Sequence, residues 1–365
     1  MGWCHTPTPA TALAMTAMVV LVPMSTQAQE AIDYAQWQQY RVGVQHPAGA
    51  IKPGDLLRAR KNTQLYGWAR SYADGLCKSA DQIAERFTPE YLAHMVTRLT
   101  PACTGPCPAC RAKGLPWHPN GQWSWSAARP DELTCGACKT VFPNDEFPES
   151  VVLHSKWDPQ QSFGFAGGEH FMCFGYRARP SFTGIIAGRK LSYVSGQVTT
   201  LAIAYALKQN PAHAGAVKAA LLRLADVFPH YMVRAGYGYG EIADMDPHVA
   251  AENINKLPED ELVYPPNAPD RRLHTGFWSA SRIGTAGMDG GWVANMATAY
   301  DLTCTAMGQG RPVYTDEEKL HIERDLLLES AYLAVCDESI NNKSVGNRAG
   351  AAAVGMVVGA PDLVH

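Results

Sequence analysis

The apolar positions of this chain recur mostly at the helical period. Between Asp55 and Leu99, the residues Leu65, Trp68, Ala69, Tyr72, Leu76 and Ile83 fall at helix-compatible spacings. Thr88-Pro89-Glu90-Tyr91 then marks a second start, with a capping hydroxyl, Pro at the first helical position and a carboxylate near the positive end of the helix. The signal is strongest from Leu191 onward. Leu191, Val194, Val198, Leu201 and Tyr205 share one face; after Asn210-Pro211, so do Val217, Leu221, Leu224 and Phe228. Two such faces joined by a short break predict an antiparallel helix pair. Further helices are predicted over 292–303, from the capped start Thr315-Asp316-Glu317-Glu318 to Val335, and over 348–358. No run of alternating positions predicts a strand.

Two stretches break the pattern. Residues 101–150 are dominated by Pro, Gly, Trp and Cys and read as a compact insertion. Residues 231–283 are rich in Gly, Pro, Tyr and Asn, and a loop of that length inside a packed chain is often functional. The N-terminus reads as an export signal over residues 1–28. An apolar run, Ala10 to Met24, is too short to span a bilayer comfortably and ends in Ser25-Thr26-Gln27-Ala28, small residues of the kind a signal peptidase reads. The n-region carries His5 but no Lys or Arg, so an uncleaved apolar N-terminus is the other reading. Cleavage predicts a secreted or periplasmic protein, with no membrane partner, since no other stretch is long enough to cross a bilayer.

Composition adds little to this picture: 46% hydrophobic, 18% charged and a formal charge of −3 are ordinary for a globular protein. That balance offers no basic patch of the kind nucleic acid demands. The cysteines add more. Cys107-Pro-Ala-Cys110 and Cys135-Gly-Ala-Cys138 are two CxxC knuckles, each turning tightly enough for both sulfurs to face one ion, and together they complete a tetrahedron. The expected occupant is a structural zinc ion, because four protein ligands leave no position for water; two disulfides are the competing reading. His118 lies between the knuckles without ligand spacing and reads as a loop residue. Of the other cysteines, Cys77 and Cys336 sit in apolar helical patterns and read as buried thiols.

Three segments, in this order, resemble the heparinase II/III-like polysaccharide lyases. The first is Cys107 to Glu149, with its knuckles followed by Val141 to Pro148. The second is Leu201 to Leu207 with Ala219 to Pro229, similar to that family's toroid helices. The third is Ile340-Asn-Asn-Lys-Ser-Val-Gly-Asn347, similar to the asparagine-led motif that opens an active-site helix. The resemblance runs from about Asp55 to the end. It implies a mainly α fold over 29–365, an incomplete (α/α) toroid bearing a zinc-ribbon-like insertion at 101–150, followed in the family by a β-sandwich domain that these 365 residues lack.

The activity implied is β-elimination on an acidic, uronic-acid-containing polysaccharide, with no catalytic metal. Removing a proton beside a carboxylate creates a doubly charged enolate-like carbanion, so donors aimed at that charge stabilise the transition state selectively. Asn342 matches the family's asparagine, with Asn347 as the alternative. Lys343, Arg348, Tyr239 and Trp292 are the expected substrate contacts, and Trp278, Arg282 and Tyr237 are further candidates for a sugar cleft. Asn341 and Asn342 are also readable as a turn and helix cap. The family's catalytic tyrosine falls beyond His365, which predicts that this chain alone is inactive or nearly so. A non-catalytic carbohydrate-binding or scaffold protein is the alternative function.

Overall fold

The computed structural model describes residues 37–102, 105–154, 160, 162–173, 176–233, 247–248, 281–283, 289–335 and 342–364. All of these belong to one unit, Tyr34–His365. Residues 1–28, read above as an export signal, and Tyr237, Tyr239, Trp278, Asn341 and Cys336 lie outside the described residues.

The chain is mainly helical. It opens with α1 (Trp37–Arg41), α2 (Pro53–Leu65), α3 (Gly67–Arg86), α4 (Pro89–Met95) and the short α5 (Pro108–Ala112). Strands β1 (Trp123–Ser126), β2 (Arg129–Cys135) and β3 (Val141–Phe142) form an antiparallel sheet, with Trp123 opposite Cys135 and Leu133 opposite Phe142. Two hairpins follow: β4 (Val151–His154) with β5 (Ser162–Phe165), and β6 (Phe171–Cys173) with β7 (Tyr176–Ala178). The helices resume as α6 (Phe182–Lys208), α7 (Pro211–Val227) and α8 (Gly290–Thr303). A small hairpin, β8 (Met307–Gly308) with β9 (Arg311–Pro312), leads to α9 (Asp316–Ile322), α10 (Glu329–Val335) and α11 (Asn342–Val358). No helix among the described residues is long and apolar enough to cross a membrane.

The predicted helix pair is α6 and α7. Leu191, Val194, Val198 and Leu201 from one, and Val217, Leu221 and Leu224 from the other, are all buried in the main core with Val293, Met296 and Tyr300 of α8 and Val354 and Val357 of α11. The caps form as their residue types dictate. Thr88 Oγ1 accepts Tyr91 N–H at 3.2 Å. Thr315 Oγ1 accepts Glu318 N–H at 3.2 Å while Glu318 Oε2 accepts Thr315 N–H at 2.8 Å, a reciprocal capping box. The helix from Thr315 is not uniform, because residues Glu323–Leu328 wind as a π-helical segment between α9 and α10. Glu323, buried there, takes Arg41 Nε at 2.5 Å and the Tyr300 hydroxyl.

Three expectations need correction. Strands exist: Trp123-Ser124-Trp125-Ser126 alternates, but over four residues the pattern is too short to stand out from loop composition. The inward face of α3 is made by Ala69, Ala73, Ala80 and Ile83, so Trp68 and Tyr72 point to solvent, as does Leu65 at the end of α2. Small alanines let α3 approach α6 and α7 closely, and the bulkier rings are left in solvent. Finally, α6 begins at Phe182, well before its apolar face shows at Leu191. Its start is capped by Ser181 Oγ, which accepts Gly184 N–H at 3.1 Å, and by Glu149, whose carboxylate accepts both Thr183 N–H (3.1 Å) and Thr183 Oγ1–H (2.9 Å). That carboxylate arrives from the insertion, which local sequence around 182 does not reveal.

Candidate metal centre and a polar helix junction

The four knuckle cysteines converge. Cys107 stands at the N-cap of α5, where Pro108 opens the helix, and Cys110 sits inside it. Cys135 ends β2, and Cys138 lies in the turn to β3. That turn closes through Lys139 N–H to Cys135 O (2.9 Å) and Cys135 N–H to Thr140 O (2.9 Å), with Lys139 in the left-handed region at φ 61°. The sulfurs of Cys107 and Cys138 are 3.7 Å apart, those of Cys110 and Cys135 3.6 Å, and all four lie within 4.8 Å of one another. A tetrahedral thiolate site with metal–sulfur bonds of about 2.3 Å has sulfur–sulfur edges of about 3.8 Å. The cluster therefore has the size of a four-thiolate metal site and is too open for disulfide bonds, and all four thiols are free.

The four thiols do not share one electrostatic setting. Burial pushes the Cys107 and Cys110 thiols up. Cys138 moves the other way against its own burial, drawn down by the hydroxyl and backbone N–H of Thr140, with Thr140 Oγ1 3.3 Å from the sulfur. Four thiolates packed this closely repel one another unless a cation sits among them. His118 takes no part: its Nδ1 accepts Asn120 N–H at 3.1 Å in an exposed turn.

The cluster is seated on a small apolar core. Leu133, Phe142, Phe182, Ile185 and Ile186 are buried around it, and the Phe142 and Phe182 rings stack at 4.3 Å. Trp123 meets Phe142 edge-on and donates Nε1–H to Gly105 O at 2.9 Å. A second tie joins the insertion to the helices: buried Lys190 of α6 reaches Asp131 of β2 at 2.5 Å, and that hydrogen bond, with His94, holds Asp131 below its ordinary value.

Of the other candidate residues, Asn342, Lys343, Asn347 and Arg348 lie on α11 and Trp292 on α8, two helices that pack together. Asn342 is the first residue of α11 and Lys343 the second. Asn347 is buried, and its Oδ1 accepts Gly290 N–H at 3.1 Å, capping the start of α8. The helices touch backbone to backbone there; a Cβ on Gly290 would lie 2.2 Å from Gly346 O. Arg348 is exposed on α11. Trp292 is half-buried, stacked flat on Phe228 (5.4 Å, 12°) with Nε1 donating to Ser195 Oγ at 2.7 Å, so at least one ring face is engaged in packing.

Arg282, a candidate for the sugar cleft, is 1% exposed and serves as an internal tie. It donates Nε–H to Tyr231 O (2.9 Å) and Nη2–H to Phe228 O (2.9 Å), lies over the Phe228 ring, and pairs Nη1 with Glu329 Oε1 at 2.6 Å. Asp289 binds the same segment through Ser281 Oγ and Arg282 N–H, both at 2.8 Å. Glu329 also takes His248 Nε2 at 2.8 Å. Burial would raise this carboxyl, yet Arg282 and His248 hold it below its ordinary value. Sequence reasoning does not find Glu329 or Asp289; the one local signal is for Glu329, a carboxylate set between Leu326-Leu327-Leu328 and the run Ala331 to Val335.

Compared with known proteins, the chain matches no family model, no curated protein and no solved structure.

Proposed function

We propose that this chain is the helical part of an exported lyase that cleaves uronic-acid-containing polysaccharide by β-elimination, with zinc as the structural ion of the four-cysteine site. The observation that carries the reading is the close packing of the start of α8 on the second and third turns of α11, the helix opened by Asn342, with Asn347 Oδ1 accepting the first N–H of α8. Helix N-termini favour negative charge, and the anion to be held is a uronate carboxylate. In this reading the body is an incomplete (α/α) toroid and the insertion a zinc ribbon.

In the elimination, the C5–H and C4–O bonds break and a C4=C5 double bond forms. The C5 proton goes to a base, and the departing oxygen takes up a proton. Charge builds on the carboxylate as C5–H weakens. Asn342 is assigned as the donor to that carboxylate, with Lys343 and Arg348 supplying positive charge along the chain and Tyr239 and Trp292 flanking the sugars. Asn347, already bonded to Gly290, is assigned a positioning role. The zinc ion lies outside this chemistry, its coordination closed by Cys107, Cys110, Cys135 and Cys138.

The test uses the complete product of the coding sequence. Incubated with galacturonan, alginate and glycosaminoglycans, it is expected to generate unsaturated ends, seen as rising ultraviolet absorbance, with Asn342→Ala abolishing the rise. Absence of any rise on every uronan overturns the lyase reading and leaves a carbohydrate-binding scaffold.

A further inference from the structure

Helix α3 presents a solvent face that the elimination chemistry does not use. At the helical period, Trp68, Tyr72, Gly75, Ser79, Gln82 and Arg86 form one stripe, and all six are exposed. Trp68 and Tyr72 are 71% and 62% exposed, unusual for rings of this size. Tyr66, at the N-cap of α3, stacks on Trp68 with ring centroids 6.3 Å apart and planes 20° from parallel, which widens the aromatic platform.

The remainder of the stripe is not apolar. Gly75 leaves the surface low, Ser79 and Gln82 offer hydrogen-bonding groups, and Arg86 closes the row. From Trp68 to Arg86 the stripe spans about 27 Å at 1.5 Å per residue, room for several sugar rings. It contains no carboxylate. The carboxylates of α3 lie on another side, and two are engaged there: Asp74 with Lys208 at 3.0 Å and Asp81 with His213 at 2.8 Å. Arg86 meets the Tyr193 hydroxyl at 2.9 Å and has no acidic partner among the described residues. An aromatic platform leading into polar side chains and an unneutralised guanidinium complements a chain that is apolar on its ring faces, hydroxylated at its edges and anionic.

We propose that this face of α3 binds an acidic polysaccharide, with pyranose rings on Tyr66, Trp68 and Tyr72 and an acid group on Arg86. The surface holds substrate on helices other than those of the α8–α11 junction and stands even if no elimination occurs.

Isothermal titration calorimetry of the full chain with oligogalacturonate, oligoalginate and neutral maltohexaose tests it. Binding is expected for the acidic oligomers. Trp68→Ala with Tyr72→Ala is expected to weaken it at least tenfold, and Arg86→Gln to remove the preference for acidic over neutral chains. Both variants are expected to keep the parent far-ultraviolet dichroism and Tm, because the side chains are exposed. The assignment is overturned if no acidic oligomer binds, or if the double variant binds as tightly as the parent. It is equally overturned if sedimentation shows a dimer that the double variant dissolves, which makes the stripe a self-association face.

Discussion

Val194 and Leu221 in the helical body, and Leu133 and Phe142 in the cysteine insertion, are all completely buried, but they reach that state differently. In the body, successive helices turn one apolar face to a shared centre, and burial follows from the length of the chain. The insertion has three short strands and one helical turn, and its core is a handful of residues around four thiols. A segment of that size buries too little apolar surface to offset its conformational entropy. The comparison teaches that the body folds by its pattern, whereas the insertion, with so small a core, is expected to depend on an ion held by its four cysteines and on the helices it leans against.

The largest expected effect follows from removing that ion. Binding of a structural metal contributes on the order of 10 kcal/mol to folding in small thiolate domains. Chelation, or Cys107→Ser with Cys138→Ser, is therefore expected to release one equivalent of metal, measured by elemental analysis. It should also erase the near-ultraviolet signal of Trp123 and Trp125 while most far-ultraviolet helix signal persists. Collapse of both signals together breaks the comparison, because it makes the body as metal-dependent as the insertion.

Next in size is Arg282→Met, which leaves Glu329 buried opposite His248 alone. Removing one partner of a buried ion pair costs about 3–5 kcal/mol, so a large fall in Tm is expected with metal content unchanged. An effect below about 1 kcal/mol would show that Arg282 is not the tie its five hydrogen bonds suggest. Phe182→Ala probes the seam itself. Its ring packs on Phe142 beside the thiols while its backbone opens α6. Truncating a buried phenylalanine costs about 3–5 kcal/mol. Here part of that loss is expected to appear as weaker metal retention in a chelator competition, and unaltered retention would separate the two regions more sharply than the packing implies.

What the sequence revealed follows the same division. Signals local to one helix were legible: the Leu191–Leu201 face, the caps at Thr88 and Thr315, and the paired knuckles, whose spacing needs no partner to be read. What was illegible depended on distant partners. The start of α6 needs Glu149 from 34 positions earlier to cap Thr183. The orientation of α3 is set by which side of it α6 and α7 approach, which spacing alone does not rank. Arg282, chosen as a sugar contact because Arg pairs with carboxylates, found its carboxylate in Glu329 instead. Asn347 went to Gly290 for the same reason: a polar side chain near a helix start satisfies whichever orphan N–H lies closest.

A smaller effect tests a local signal directly. Thr315→Ala removes half of the capping box at α9 and is expected to cost about 1 kcal/mol, read from denaturant midpoints at constant slope. A neutral result would mean that the π-helical segment behind it, rather than the cap, holds α9 in place.

The smallest effect, and the one that isolates the body from the insertion most cleanly, is a pH dependence. His321 of α9 meets Asp325 at 2.6 Å through Nδ1 and Asp226 of α7 at 2.9 Å through Nε2. Partial burial lowers its pKa, but the hydrogen bonds its ring donates to Asp226 and Asp325 outweigh that and raise it above the ordinary value. A pKa raised on folding means the protonated ring is bound more tightly in the native state. Its stabilisation is therefore complete below about pH 6.5, the unfolded value, and is lost as pH rises through the higher folded value. Because the ring and Asp226 are partly exposed, the gain stays below about 1 kcal/mol and shrinks with salt. His321→Gln keeps a hydrogen-bonding side chain without the charge. The Tm difference between parent and variant should be largest in acid and close as pH rises, whatever the thiols do, since they are common to both proteins. A difference that stays constant with pH would show that the ring ties α7 to α9 as a neutral hydrogen-bonding group, and the ionic part of the assignment would fall.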